Sequence, residues 1–370
     1  MIGIIMKRQQ LALIIGLSLS TLSTYSLASQ ATNPQVNFSQ AYQTYLTAVA
    51  ENKNVKQAAE LAYTLGSANY GEESDNTANL AINYAKAINP RISDGYEQRY
   101  ALYKQAHDIL VKNHGNKSVE TLDALLGMAS NTQSDREAAN HLEHMIDIAA
   151  EQDNPKLVAD MQFEAASLLA QKFTSKKYRK AKRYLEQADE YYQANLPENS
   201  VDRIKADFLM ASFAEGRKKY NQAIERLNRV VSVFDNNLNF DHSAELSAHS
   251  KLIGLYEKQG KSDEATKHCL AIAKMVPWKE SQEQKPLYRV NPDYPSNKAK
   301  QGRSGSVAME FEVDTAGFVK NVSILNSDGG VSFEKSAIKA VEQWRYAPKF
   351  EKGQPVSATS QVRLDFRMNP

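Results

Sequence analysis

Ser306-Val307-Ala308-Met309-Glu310-Phe311-Glu312-Val313 is the stretch whose reading decides the fold of the C-terminal part of the chain. Val307, Met309, Phe311 and Val313 fall on every second position, with Ala308, Glu310 and Glu312 between them. A period of two belongs to a strand with one buried face. Asp314-Thr315-Ala316-Gly317 follows as a turn, and Phe318 to Asn326 reads as the return strand of an antiparallel hairpin. Asp328-Gly329-Gly330 breaks the pattern. Beyond it Ser332 is placed to N-cap a helix, with Glu334 near the positive end of its dipole. Phe333, Ala337, Val341 and Trp344 share one helical face, and Arg345-Tyr346-Ala347-Pro348 ends the helix. Gly353-Gln354-Pro355 is a turn. A last strand, Val362 to Met368, puts Val362, Leu364, Phe366 and Met368 inward and Arg363, Asp365 and Arg367 outward. The predicted order is strand, strand, helix, strand.

Upstream of this module the period changes. Pro277, Pro286, Pro292 and Pro295 fall within nineteen residues, which marks a Pro-containing linker at 279–290 before a domain at 291–370. From 36 to 278 prolines are sparse and apolar residues recur every three or four positions, the period of amphipathic helices. A longer period lies on top of it, because Ala139, Ala181, Ala223 and Ala265 are each 42 residues apart. Where two helices of a repeat cross closely, a methyl group is what fits. In the last unit Leu252, Leu255 and Tyr256 line a first helix and Gly260 falls in the turn. Ala265, Cys269 and Ile272 line the second helix, which Pro277 ends. Weaker units surround Tyr96 to Ala106, where Arg99 takes the small position, and Ala58 to Leu65. The expected architecture is an α-helical repeat solenoid followed by a small α+β domain. Such an array offers a concave surface for protein segments. A spacer or scaffold with no ligand of its own is the alternative.

Forty-five basic and forty-three acidic residues leave a formal charge of +2. No field of one sign remains to recruit nucleic acid or anionic lipid. A single cysteine, Cys269, excludes an intramolecular disulfide and a cysteine metal cluster, and it is expected as an inert small hydrophobe. Lys7 and Arg8, the apolar stretch Leu11 to Leu27 and Ser26-Leu27-Ala28 read as a secretory signal at 1–28. The alternative is an uncleaved membrane anchor, against which the serines and threonines after Leu17 weigh. His141 and His144, three apart on a predicted helix, have no third ligand nearby and are expected on a solvated face. No phosphate loop, metal motif or nucleophile–base spacing appears. The chain is therefore expected to have no catalytic residue, metal or cofactor, and to take neither nucleic acid nor a small-molecule substrate.

The signposts of the C-terminal module are Tyr294-Pro295, Gly302 and Gly305, Gly317 in the hairpin turn, Ala340-Val341, and Trp344-Arg345-Tyr346 with Pro348. In this order they resemble the C-terminal domain of TonB-family energy transducers, over about residues 286–368. The preceding array resembles tetratricopeptide repeats in a longer form of about 42 residues. The first resemblance implies a binding device: family members pair their last strand with a short extended receptor segment, the TonB box. Carried over, Gln361, Val362, Arg363, Leu364, Asp365, Phe366, Arg367 and Met368 form the pairing strand. Trp344 is expected in the core, Tyr294-Pro295 as fixing chain direction, and the glycines as backbone devices. The implied partner is an outer-membrane TonB-dependent receptor or a TonB-system component, with a further protein segment in the repeat groove. The implied process is energised uptake across the outer membrane, such as that of siderophore iron, and the implied place is the periplasm. A periplasmic scaffold that organises an envelope complex without transmitting force is the alternative. In the family a long Pro-rich linker precedes the module; here the helical array stands in its place. Well-studied members present a glutamine after Tyr-Pro, where this chain has Ala299, with Gln301 two positions on.

Overall fold

The computed structural model describes residues 37–172, 178–237, 242–276, 278 and 284–368. The signal expected at 1–28, Pro277 and residues 279–283 of the expected linker lie outside the described residues. The chain divides into two compact units, whose described parts lie within 7–195 and 196–370.

The first unit consists of α1 (Phe38–Glu51), α2 (Val55–Tyr70), α3 (Asp75–Ala87), α4 (Gly95–His114), α5 (Leu122–Asn131), α6 (Asp135–Ala150), α7 (Pro155–Lys172) and α8 (Tyr178–Asn195). Their starts are written in the sequence. Asn37, Ser74 and Ser134 each accept a hydrogen bond from the backbone N–H three residues on, and Asn37 and Gln40 complete a capping box. Asn154 caps α7 ahead of Pro155, whose missing N–H costs nothing in a first turn. Consecutive helices pack on one another through small and aliphatic side chains, as where Ala78, Ala81 and Ala85 of α3 meet Tyr103, Ala106 and Leu110 of α4.

The second unit opens with two more helical pairs, α9 (Val201–Gly216) with α10 (Tyr220–Asn237) and α11 (Ser243–Lys258) with α12 (Ser262–Met275). Ala181, Ala223 and Ala265 are fully buried and Ala139 nearly so, each in the second helix of its pair. The 42-residue period is thus a packing period. Gly260 sits in the α11–α12 turn with φ of +70°, and Leu252, Leu255, Cys269 and Ile272 are buried as expected. Among the described residues no helix is long and apolar enough to cross a membrane.

The rest of the second unit is the module. It contains a one-turn helix, α13 (Ser296–Ala299), then β1 (Gly305–Val313), β2 (Val319–Asp328), α14 (Val331–Val341), β3 (Lys349–Glu351), β4 (Gln354–Val356) and β5 (Ala358–Phe366). β1 is central in an antiparallel sheet of order β2-β1-β5. Its inward residues Val307, Met309, Phe311 and Val313 meet Phe333, Ala337, Val341 and Trp344 in one core.

Four expectations need correction. The helix is capped by Gly330 at φ +93° and Ser332 lies inside its first turn. It ends at Val341, where the Gln343 and Trp344 N–H groups bond three residues back and tighten the turn; Trp344 therefore reaches the core from beyond the helix. The turn expected at Gly353-Gln354-Pro355 belongs to the hairpin β3–β4. The last strand begins at Ala358 and ends at Phe366, so Arg367 and Met368 lie past it and Met368 is exposed rather than inward.

Candidate functional site

β5 pairs with β1 in an uninterrupted antiparallel register from Gly305↔Phe366 to Val313↔Ala358. Ser360, Val362, Leu364 and Phe366 face the core, while Thr359, Gln361, Arg363 and Asp365 are exposed. The exposed row is held by polar contacts. Gln361 Nε2 donates to Glu310 Oε2 at 2.8 Å, and Arg363 donates to Asp365 Oδ1 at 3.1 Å and Ser306 Oγ at 3.2 Å. β1 occupies one side of β5; along the other no strand is paired among the described residues. A groove of about 650 Å³ follows residues 357–363 and is bordered also by Trp278, Gln284, Lys349 and Leu325.

The opposite edge of the sheet is different. The β1–β2 register shifts between Ala308 and Met309 and again between Glu310 and Glu312, and Asn321 has φ of +52°. Such bulges twist an edge away from further pairing. β5 therefore presents the regular edge, with backbone N–H and C=O groups in step for an added strand.

The signpost residues hold this edge in place. Tyr294 packs edge-on against Phe333 and Phe366, and its hydroxyl donates to the Arg303 carbonyl at 2.7 Å. The Pro295 carbonyl accepts from Lys298 and Ala299, starting α13, at whose end Gly302 turns with φ of +62°. Ala299 is half-buried and Gln301 exposed at this corner. A Cβ on Gly305 would lie 2.6 Å from the Asp328 carbonyl and from the Phe333 ring, so only glycine fits there. Trp344 is buried, its Nε1 donating to the Val290 carbonyl at 2.8 Å, and Tyr346 and Pro348 are buried beside it.

Arg345 departs from a role internal to the module. It is 1% exposed. Its guanidinium forms an ion pair with Glu257 of α11, donates to Thr266 Oγ1 of α12 at 2.7 Å and to the Ala316 carbonyl at 2.9 Å, and lies 3.7 Å above the Phe318 ring. Its backbone exchanges hydrogen bonds with Tyr288, which ties down the second half of the expected linker. No local pattern marks Glu257, Thr266 or Phe318 as its partners. Cys269, near the same contact, is fully buried, and burial pushes its thiol up to about 12.

His141 and His144 form no such assembly. Expected on a solvated face, they are half-buried instead. Burial holds His141 below its ordinary value, and His144 Nε2 lies 3.0 Å from the Asn116 carbonyl. Among the described residues no group of three or more His, Cys, Asp or Glu could hold a metal ion.

A module with this sheet order, following helical pairs, defines the class of protein: a repeat-helix chain with a small C-terminal α+β domain. Residues 290–368 match the family model described as Gram-negative bacterial TonB protein C-terminal, and the fold of this segment is similar to that domain. Residues 111–245 match the model for soluble NSF attachment protein, SNAP. Protein TonB of Vibrio cholerae is 30% identical over 80 residues, 22% of this chain and 33% of that one. Protein TonB of Salmonella typhimurium is 36% identical over 83 residues, 22% of this chain and 32% of that one. The chain thus spans about a third of the length of the curated relatives it matches. Among solved structures, the TPR-like repeats of a Podosopora anserina kinesin light chain align with a TM-score of 0.44 and 19% identity, over 54% of this chain and 92% of that one. The Pseudomonas aeruginosa TonB C-terminal domain aligns with a TM-score of 0.22 and 23% identity, over 25% of this chain and 92% of that one.

Proposed function

We propose that this protein is a periplasmic binding protein of energy-dependent outer-membrane transport, which takes up an extended segment of a TonB-dependent receptor, or of a TonB-system component, as an added strand on β5. Its helical pairs hold a second protein partner. The regular, nine-residue edge of β5 carries the reading, set against the bulged edge of β2. Main-chain bonding supplies affinity in this mode, and side chains at alternate positions supply selectivity. The protein acts by binding, without catalysis, and iron–siderophore uptake is the process such a receptor serves.

Backbone methylation of the ligand tests strand addition without disturbing the protein. A synthetic TonB-box peptide is N-methylated one residue at a time and titrated calorimetrically against the whole chain. Binding lost at every second peptide position supports the proposal, because only the N–H groups facing β5 bond to it. Affinity indifferent to methylation overturns it.

A further inference from the structure

We infer that the module is the rigid C-terminal cap of the helical array, with the Arg345–Glu257 ion pair as its pin. A helical repeat array ends in an apolar face that needs a cover. On the α11–α12 pair that face is Ile253, Ala265, Cys269 and Ile272, and Leu287 and Tyr288 of the connecting segment and Ala347 of the module pack against it. The β1–β2 turn lies on it as well: a Cβ at Gly317 would come within 3.5 Å of Cys269 Cβ.

The polar contacts require both parts at once. Arg345 takes Glu257 and Thr266 from the helices and the Ala316 carbonyl from the hairpin turn, with Phe318 beneath it. The side chain of Glu257 is itself 11% exposed. Parting the module from α11–α12 would leave each charge without its partner, and a lone charge is costly until water reaches it. The backbone bridge between Tyr288 and Arg345 closes the connecting segment onto the same site. A module swinging on a free tether has no use for any of these contacts. The direction of the β5 edge is therefore set by the last helical pair, and a pull on that edge passes into α11 through Glu257. None of this coupling depends on what β5 binds.

Two spin labels test it in the full chain, one at Lys267→Cys on α12 and one at Lys335→Cys on α14, both exposed positions. Native Cys269 is buried and stays unlabelled. A pulsed-dipolar measurement should give one narrow distance distribution, and Glu257→Ala should broaden it while tryptophan emission remains native. Glu257 lies outside the module, so its replacement spares the module's own core. A broad distribution in the otherwise unaltered chain, or a narrow one unchanged by Glu257→Ala, overturns the inference. Should the variant fail to fold, the width in the otherwise unaltered chain decides alone.

Discussion

Replacing Gly317 with alanine should unfold the module far more readily than the same change at Gly302. Both glycines have positive φ, +84° and +62°, which costs an alanine roughly 1–2 kcal/mol at either place. The surroundings differ. At Gly302 an added Cβ meets nothing within 4 Å. At Gly317 it would sit 2.2 Å from the Tyr346 carbonyl oxygen, a backbone atom. That carbonyl cannot move away cheaply, because the Tyr346 N–H is bonded to the Gly317 carbonyl and Arg345 is held on its other side. Overpacking of this kind costs about 1–3 kcal/mol more. The totals are about 2–5 kcal/mol at Gly317 and about 1–2 kcal/mol at Gly302. Of the two tryptophans of the chain, Trp344 is buried in the module core and Trp278 packs half-buried against it, so emission during urea unfolding reports on the module. With a urea slope of about 1 kcal/mol/M for a small domain, the midpoints should separate by about 1–3 M. Equal midpoints for the two variants would refute the close approach of the hairpin turn to Trp344-Arg345-Tyr346.

Other outcomes follow from the helical pairs. His268 is pushed down to about 4, chiefly by burial and then by His249, whose Nδ1 lies 2.7 Å from its own; Glu264 and Lys267 are the other charged groups acting on it. The unfolded chain therefore binds this proton first, so its contribution to stability is whole above about pH 6.5 and falls as pH drops toward 4. A ring-proton titration by NMR should show it, and a midpoint near the ordinary histidine value would count against the buried pair. Ala223→Leu should destabilise the second unit by about 1–3 kcal/mol through overpacking, read by urea unfolding followed with circular dichroism; a neutral effect would contradict the close crossing of α9 and α10.

The parts of the fold legible in the sequence are those with a local period. The alternation from Val307 to Val313 and the four alanines 42 residues apart are direct images of a pleat and of a helix crossing. The start of β5 is hidden because Ala358 is small and half-buried and the first buried residue, Ser360, is polar, so the strong apolar signal begins only at Val362. The hairpin β3–β4 is hidden because its strands are three residues long and Lys352, at φ +50°, gives no sign of a left-handed conformation. The candidate site was legible as a strand near the C-terminus. Its boundaries, and its advantage over β2, depend on bulges that no alternation reveals. The contact of Arg345 with Glu257 spans 88 residues and leaves no local trace at all.

Amide hydrogen exchange on the full chain, with and without a TonB-box peptide, tests the central claim most directly. Free, the amides of β5 that face away from β1 should exchange quickly, since they lie along an open edge. With peptide bound, every second amide from 358 to 366 should gain protection, while β2 from 319 to 328 stays unchanged. Protection appearing along β2 or on the helical pairs, with β5 untouched, would contradict it.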